Sequence, residues 1–181
     1  MPDTRSDTEF AVLRHTIARR GTARMVLVPV TFIGWGALSL ILVTWGGHPF
    51  SALIPLLVLA AGFEAIHALH VGAERIGRYL QVYYEAEPGG PRWETTAMAV
   101  GPALPGGGID PLFSVAFVCG ATLNIVPALM LAPNGIEITT IVAAHATLLL
   151  RIVRAHRAAA RQRAVELERF KALLLRQRDG Q

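Results

Sequence analysis

The chain has 181 residues, of which 52% are hydrophobic and only 17% charged, with a formal net charge of +4. That apolar fraction is too high for an ordinary soluble domain of this length. The sequence pI near 10 does not indicate a nucleic-acid binder, because the basic residues flank apolar stretches, as they do beside anionic lipid headgroups.

Residues 1–24 are polar and carry acids as well as arginines, without the short apolar core and small-residue cleavage site of a signal peptide. A membrane-spanning helix needs about 20 mostly apolar residues. Four stretches meet that need: 25–45, 51–74, 111–132 and 136–155. GGHPF separates the first two and PNG the last two, as tight turns rich in helix breakers. Pro29, Pro55 and Pro127 lie within these stretches. A proline in the first turn lacks only an orphan donor, and one in mid-span kinks its helix.

Arginine placement sets the expected orientation. Arg14, Arg19, Arg20 and Arg24 precede the first stretch, Arg75, Arg78 and Arg92 follow the second, and Arg154, Arg157, Arg161 and Arg163 follow the fourth. The two short turns carry no Arg or Lys. The expected fold is an all-α integral membrane protein, with four transmembrane helices in two hairpins and both termini cytoplasmic. Lys171 is the only lysine among 17 basic residues, a bias typical of GC-rich bacterial genomes, so the expected location is a bacterial inner membrane.

Three segments complete the organisation. The cytoplasmic loop 75–110 begins as a helical extension of span two, where Arg78, Tyr79, Tyr83 and Tyr84 suit a headgroup belt. It then becomes rich in Gly and Pro around WETTAMAV, a short interfacial segment anchored by Trp93. GPALPGGG (101–108) lacks the Lys and Ser/Thr of a phosphate-binding loop and reads as a connector. Residues 156–181 extend span four as a basic helical tail. Leu149, Val153, Ala160, Leu167, Phe170 and Leu174 fit a heptad seam that His156 and Arg163 interrupt. Such a tail pairs with another copy or a partner, lies on the membrane, or packs on its own protein.

The chemistry-bearing residues cluster on span two. At 100° per residue Glu64, His67, His70, Glu74, Arg75 and Arg78 fall within an arc of roughly 140°. This stripe should face protein or water, as a polar crevice or a seam between helices, because a lipid-facing charge costs about 3 kcal/mol near the bilayer centre. Counting about 1.5 Å per residue from the periplasmic side matches Glu64 in depth with Arg151, and Asn124 with His145, a second and shallower pair.

Several readings of this cluster compete. Glu64 and Arg151 form an ion pair that fixes helix packing, with His67 hydrogen-bonding nearby. Alternatively Glu64 loads a proton for coupled transport or contacts a quinone headgroup, which a close Arg151 opposes by favouring the carboxylate. Glu64-x-x-His67 has the spacing of helical di-iron motifs, and His70 and Glu74 add ligand types, but the other spans lack the second motif and further glutamates such a site needs. Bis-histidine haem between His67 or His70 and His145 requires bridging a depth offset of about 10 Å. His15, His48 and His156 have no assigned role, and Trp35 and Trp45 read as packing and interface residues. The lone Cys119 excludes an intramolecular disulfide and reads as a small buried apolar side chain.

The resulting expectation is a non-enzymatic membrane subunit or scaffold without a cofactor, embedded in the lipid bilayer and forming a homo-oligomer or part of a larger complex. The alternative is a small proton- or ion-coupled transporter or channel, or a redox-associated protein binding metal, haem or quinone at Glu64, His67 and His70.

Overall fold

A computed structural model describes residues 4–85, 92–100 and 111–179. All its regular structure is helical, and no strand occurs among the described residues. In chain order it contains α1 (Thr4–Trp45), a 3₁₀ turn (Pro49–Ala52), α2 (Leu53–Tyr83), α3 (Trp93–Val100), α4 (Pro111–Leu123), α5 (Ile125–Met130) and α6 (Gly135–Asp179). The glycine-rich stretch 101–108 lies outside the described residues. Three helices, within Asp7–Trp45, Pro49–Tyr83 and Gly135–Asp179, are long and apolar enough to cross a membrane.

The ends of these helices follow from local chemistry. Gly46 takes φ +71, the left-handed conformation that closes a helix, directly after α1. Asn134 opens α6 with a reciprocal cap. Its Oδ1 accepts from the N–H groups of Ile136 (3.0 Å) and Glu137 (3.1 Å), and Glu137 Oε2 accepts from Asn134 N–H at 2.8 Å. Pro55 stands in the first turn of α2, where its missing N–H would be unpaired in any case.

The third apolar stretch differs from expectation. It forms two helices, α4 and α5, rather than one, with the break at Asn124. The Asn124 N–H still reaches Gly120 O at 2.9 Å. Pro127, three residues on, has no N–H to return to Leu123, so the helix restarts with the proline in its first turn.

The chain divides into two compact units. One comprises residues 24–67 and 111–156. Its core joins Leu56, Leu59, Phe63 and Ile66 of α2 to Phe117 and Ala121 of α4 and to Leu148, Ile152 and Ala155 of α6, with Phe32 and Trp35 of α1 packed against it. Phe117 meets Phe63 edge-on at 5.5 Å and Phe32 at 5.1 Å. Gly62 leaves room for Thr31, with which an added methyl would collide. The outside of this unit is also apolar, with Val26, Ile33, Leu40, Leu57 and Ile136 exposed. Only 11% of the most apolar stretch of α1 is buried. Cys119 belongs to that exposed surface, contrary to its expected burial. It is two residues from Phe117, so at 100° per residue it points away from the core.

The other unit comprises residues 1–23, 68–110 and 157–181 and holds the polar helix ends. Its aromatic core gathers Phe10, Tyr79, Tyr84 and Phe170. Tyr79 lies 5.8 Å from Phe170 and stacks on Tyr83 at 4.6 Å. Of the possible roles for the 156–181 tail, packing on its own protein is therefore realised here through Phe170.

Candidate functional site

The expected polar side chains occupy separate clusters, each built by different elements. In the apolar unit, Asn124 at the α4–α5 break is fully buried and His145 on α6 is nearly so. Trp35 Nε1–H donates to Asn124 Oδ1 at 3.0 Å. The two amide hydrogens of Asn124 go to Ala52 O at 3.0 Å and to His145 Nε2 at 3.2 Å. His145 Nδ1 lies 2.7 Å from Ile141 O. A carbonyl only accepts, so Nδ1 carries the proton and Nε2 takes the Asn124 hydrogen. One amide orientation and one neutral tautomer satisfy every contact. Asn124 thus gives no side-chain cap to α5, because its amide joins four elements: α1, the 3₁₀ turn, the α4–α5 bend and α6.

Glu64 and Arg151 also meet, with Arg151 Nε 2.7 Å and Nη2 2.8 Å from the two carboxylate oxygens. This is a fork-to-fork pair. The Arg151 guanidinium lies 5.9 Å from the centre of the Phe63 ring. The His67 ring lies parallel to Phe63 with 5.7 Å between centroids. The pair does not line an enclosed crevice, however. Its side chains are 49% and 42% exposed, because Glu64 projects roughly 120° from the core-facing direction of α2.

The remaining stripe residues join the polar unit. Arg78, only 4% exposed, donates to Glu74 at 3.1 Å and, through Nε, to Glu166 at 2.9 Å, with a further contact from Nη2 to Glu166. Arg163 reaches Glu74 at 2.6 Å, Arg75 reaches Glu166 at 3.0 Å, and Gln162 adds 2.8 Å to the same carboxylate. His70 Nε2 stands 3.6 Å from Glu74. Two carboxylates therefore hold three guanidinium groups and tie α2 to the α6 tail.

Glu85, buried at the end of α2, captures the start of α3. Its two oxygens accept from the N–H groups of Glu94 and Thr95, each at 2.7 Å, where unpaired donors and the helix dipole favour an anion. Glu94 lies against Gly77, where no side chain intervenes, and Arg14 reaches it at 3.2 Å. Burial pushes the Glu94 carboxyl up from the usual carboxylate range, against the lowering pull of Arg14, and Glu85 adds to the rise.

The metal candidates Glu64, His67, His70 and Glu74 do not gather. Among the described residues no three His, Cys, Asp or Glu side chains come close enough to share an ion. Glu64 faces Arg151 and Glu74 faces two arginines, so neither carboxylate is presented to a cation. Sequence reasoning missed Glu166, Glu85, Glu94 and Arg14, whose contacts include ones to residues 9, 80 and 91 positions away. It also left His48 without a role, whereas His48 Nε2 meets the buried Glu137 at 3.2 Å. The Asn-x-x-Glu cap of α6 was the available signal for Glu137. Compared with known protein families, curated proteins and solved structures, the chain has no match in any of the three.

Proposed function

We propose that the chain is a non-enzymatic subunit of a bacterial inner membrane, with four spans and both termini in the cytoplasm. The spans are residues 25–45, 51–74, 111–132 and 136–155, the third crossing as the bent α4–α5 pair. Arginines flank these segments on one side only. In intact cells a membrane-impermeant maleimide should label His48→Cys in a Cys119→Ser background. Arg157→Cys should require permeabilisation.

One observation carries the structural role. Each charged or amide group of the apolar unit's polar clusters is matched to another group of that unit: Asn124 to Trp35, Ala52 and His145, and Glu64 to Arg151. Groups locked this way hold helices in register and have little freedom to load and release a proton or solute. The half-exposed Glu64–Arg151 pair presents one charge of each sign, so it is self-complementary across a two-fold axis. It supports self-association of two copies.

Glu64→Gln tests this role. It leaves Arg151 uncompensated, which should reduce stability by about 2–3 kcal/mol if lipid surrounds the pair, and by at most about 1 kcal/mol if water does. Native mass spectrometry of the same protein should show fewer dimers. A stable, dimeric Glu64→Gln protein that has lost a pH-dependent flux would overturn the scaffold reading in favour of a proton site.

A further inference from the structure

The arginines divide by partner. Arg14, Arg75, Arg78, Arg151 and Arg163 each meet a carboxylate. Arg19 and Arg20 have no carboxylate partner among the described residues, and both line an open groove of about 640 Å³ on α1. His15 and Thr16 complete its polar wall, while Ala11, Val12, Ala23 and Leu69 make an apolar floor. The α1 members recur at three- and four-residue spacing, which puts them on one face. Thr16 donates its hydroxyl hydrogen to Val12 O at 2.8 Å, so the donors left to an anion are those of the arginines. Arg20 is seated rather than free: its guanidinium lies on α2 at Gly72, where a β-carbon would collide with it.

We infer that this groove binds the phosphate headgroup of an anionic phospholipid, with Arg19 and Arg20 on the phosphate and the Ala–Val–Leu floor under the upper acyl chain. The inference rests on the membrane reading above. Arg20 lies five residues before Met25, about 8 Å outside the start of the first span at 1.5 Å per residue. The headgroup layer is about 5–7 Å thick, so a phosphate there is within an arginine's reach. Basic pockets beside spans on the cytoplasmic side suit anionic headgroups. The apolar floor favours a lipid over free phosphate, which has nothing to place on it.

The test uses the full chain, delipidated in mild detergent, with native mass spectrometry after adding phosphatidylglycerol or phosphatidylcholine. Preferential retention of phosphatidylglycerol is expected. Arg19→Gln with Arg20→Gln should weaken that retention by about 30-fold, from roughly a fivefold loss per charge. Arg154→Gln with Arg157→Gln removes the same charge from an exposed part of α6 and should weaken it much less. Gly72→Ala keeps every charge and favours the helix, yet unseats Arg20, so a folded variant with reduced retention is expected. Equal retention of the two lipids, equal loss in the α6 variant, or full displacement by millimolar inorganic phosphate would overturn the inference. Protein recovered in the soluble fraction without detergent would instead refute the membrane reading itself.

Discussion

The two units handle polar groups in opposite ways. In the middle of the apolar unit the buried polar groups satisfy one another through hydrogen bonds, as Asn124 does with Trp35, Ala52 and His145. The unit's carboxylates lie away from this amide cluster: Glu64 pairs with Arg151 at the surface of the unit, and Glu137 meets the exposed His48 at the start of α6. Where the helix ends are polar, Arg78 is buried outright and shares two carboxylates with Arg75 and Arg163. Burying a charge is tolerable only with full compensation, and a shared lattice supplies it from several directions at once. A neutral amide needs only hydrogen-bond partners, and Asn124 finds three. The same chain buries a shared lattice of charges at its polar helix ends and, in the middle of the apolar unit, a hydrogen-bonded amide instead.

The sharpest way to break the comparison is at Arg78. Arg78→Met leaves Glu74 and Glu166 facing each other with less positive charge, and stability should fall by about 3–5 kcal/mol. Because these carboxylates tie the tail to α2, limited trypsin digestion should cut the arginine-rich stretch beyond residue 157 first, while the Trp35 environment persists. Simultaneous loss of both would mean that the units do not respond separately. Asn124→Leu should cost somewhat less, about 3 kcal/mol, since it strands the Trp35 N–H, the Ala52 carbonyl and His145 in an apolar interior. Its signature is a shifted tryptophan emission and a loss that does not change with added salt, as expected for neutral groups. Salt-sensitive destabilisation would argue that charged groups contribute to this cluster.

How much of this is legible in the sequence depends on the range of the interaction. The apolar stretches are composition, so they are readable directly, and the three long helices follow from them. Glu64 with Arg151, and Asn124 with His145, are readable because apolar stretches of similar length joined by short turns can be aligned by counting residues from the turns. That counting fails beyond the apolar stretches. No common boundary sets the level of Glu166 against Arg78, or of Glu85 against α3, so those pairings wait on the tertiary fold. The α4–α5 break is a third kind of case: Pro127 is visible, but whether it bends a span or divides it depends on what Asn124 finds to bond. The outward position of Glu64 shows a further limit, since a helical arc groups residues without saying which flank meets the core.

The smallest expected effect is also the one that best separates charge from burial in the polar unit. Glu94 is raised above the ordinary carboxylate range chiefly by burial, even though Arg14 pulls the other way. A carboxyl raised on folding binds its proton more tightly in the folded state than in the unfolded one. Its contribution to stability is therefore fully present below the unfolded value and is lost as pH rises through the window up to the folded value. This sign is opposite to that of a salt-bridged acid. Glu94→Gln keeps the volume over Gly77 and cannot ionise, so the variant should lack this loss. Relative to the variant, the wild-type protein should lose thermal stability as pH rises through and above the ordinary carboxylate range, by less than about 1 kcal/mol because Glu94 is only partly buried and the Arg14 pairing offsets part of the effect. If the wild type instead gains on the variant over that range, the Arg14 pairing outweighs burial, and Glu94 belongs with Glu166, whose carboxyl, against its burial, Gln162, Arg78 and Arg75 hold below the usual range.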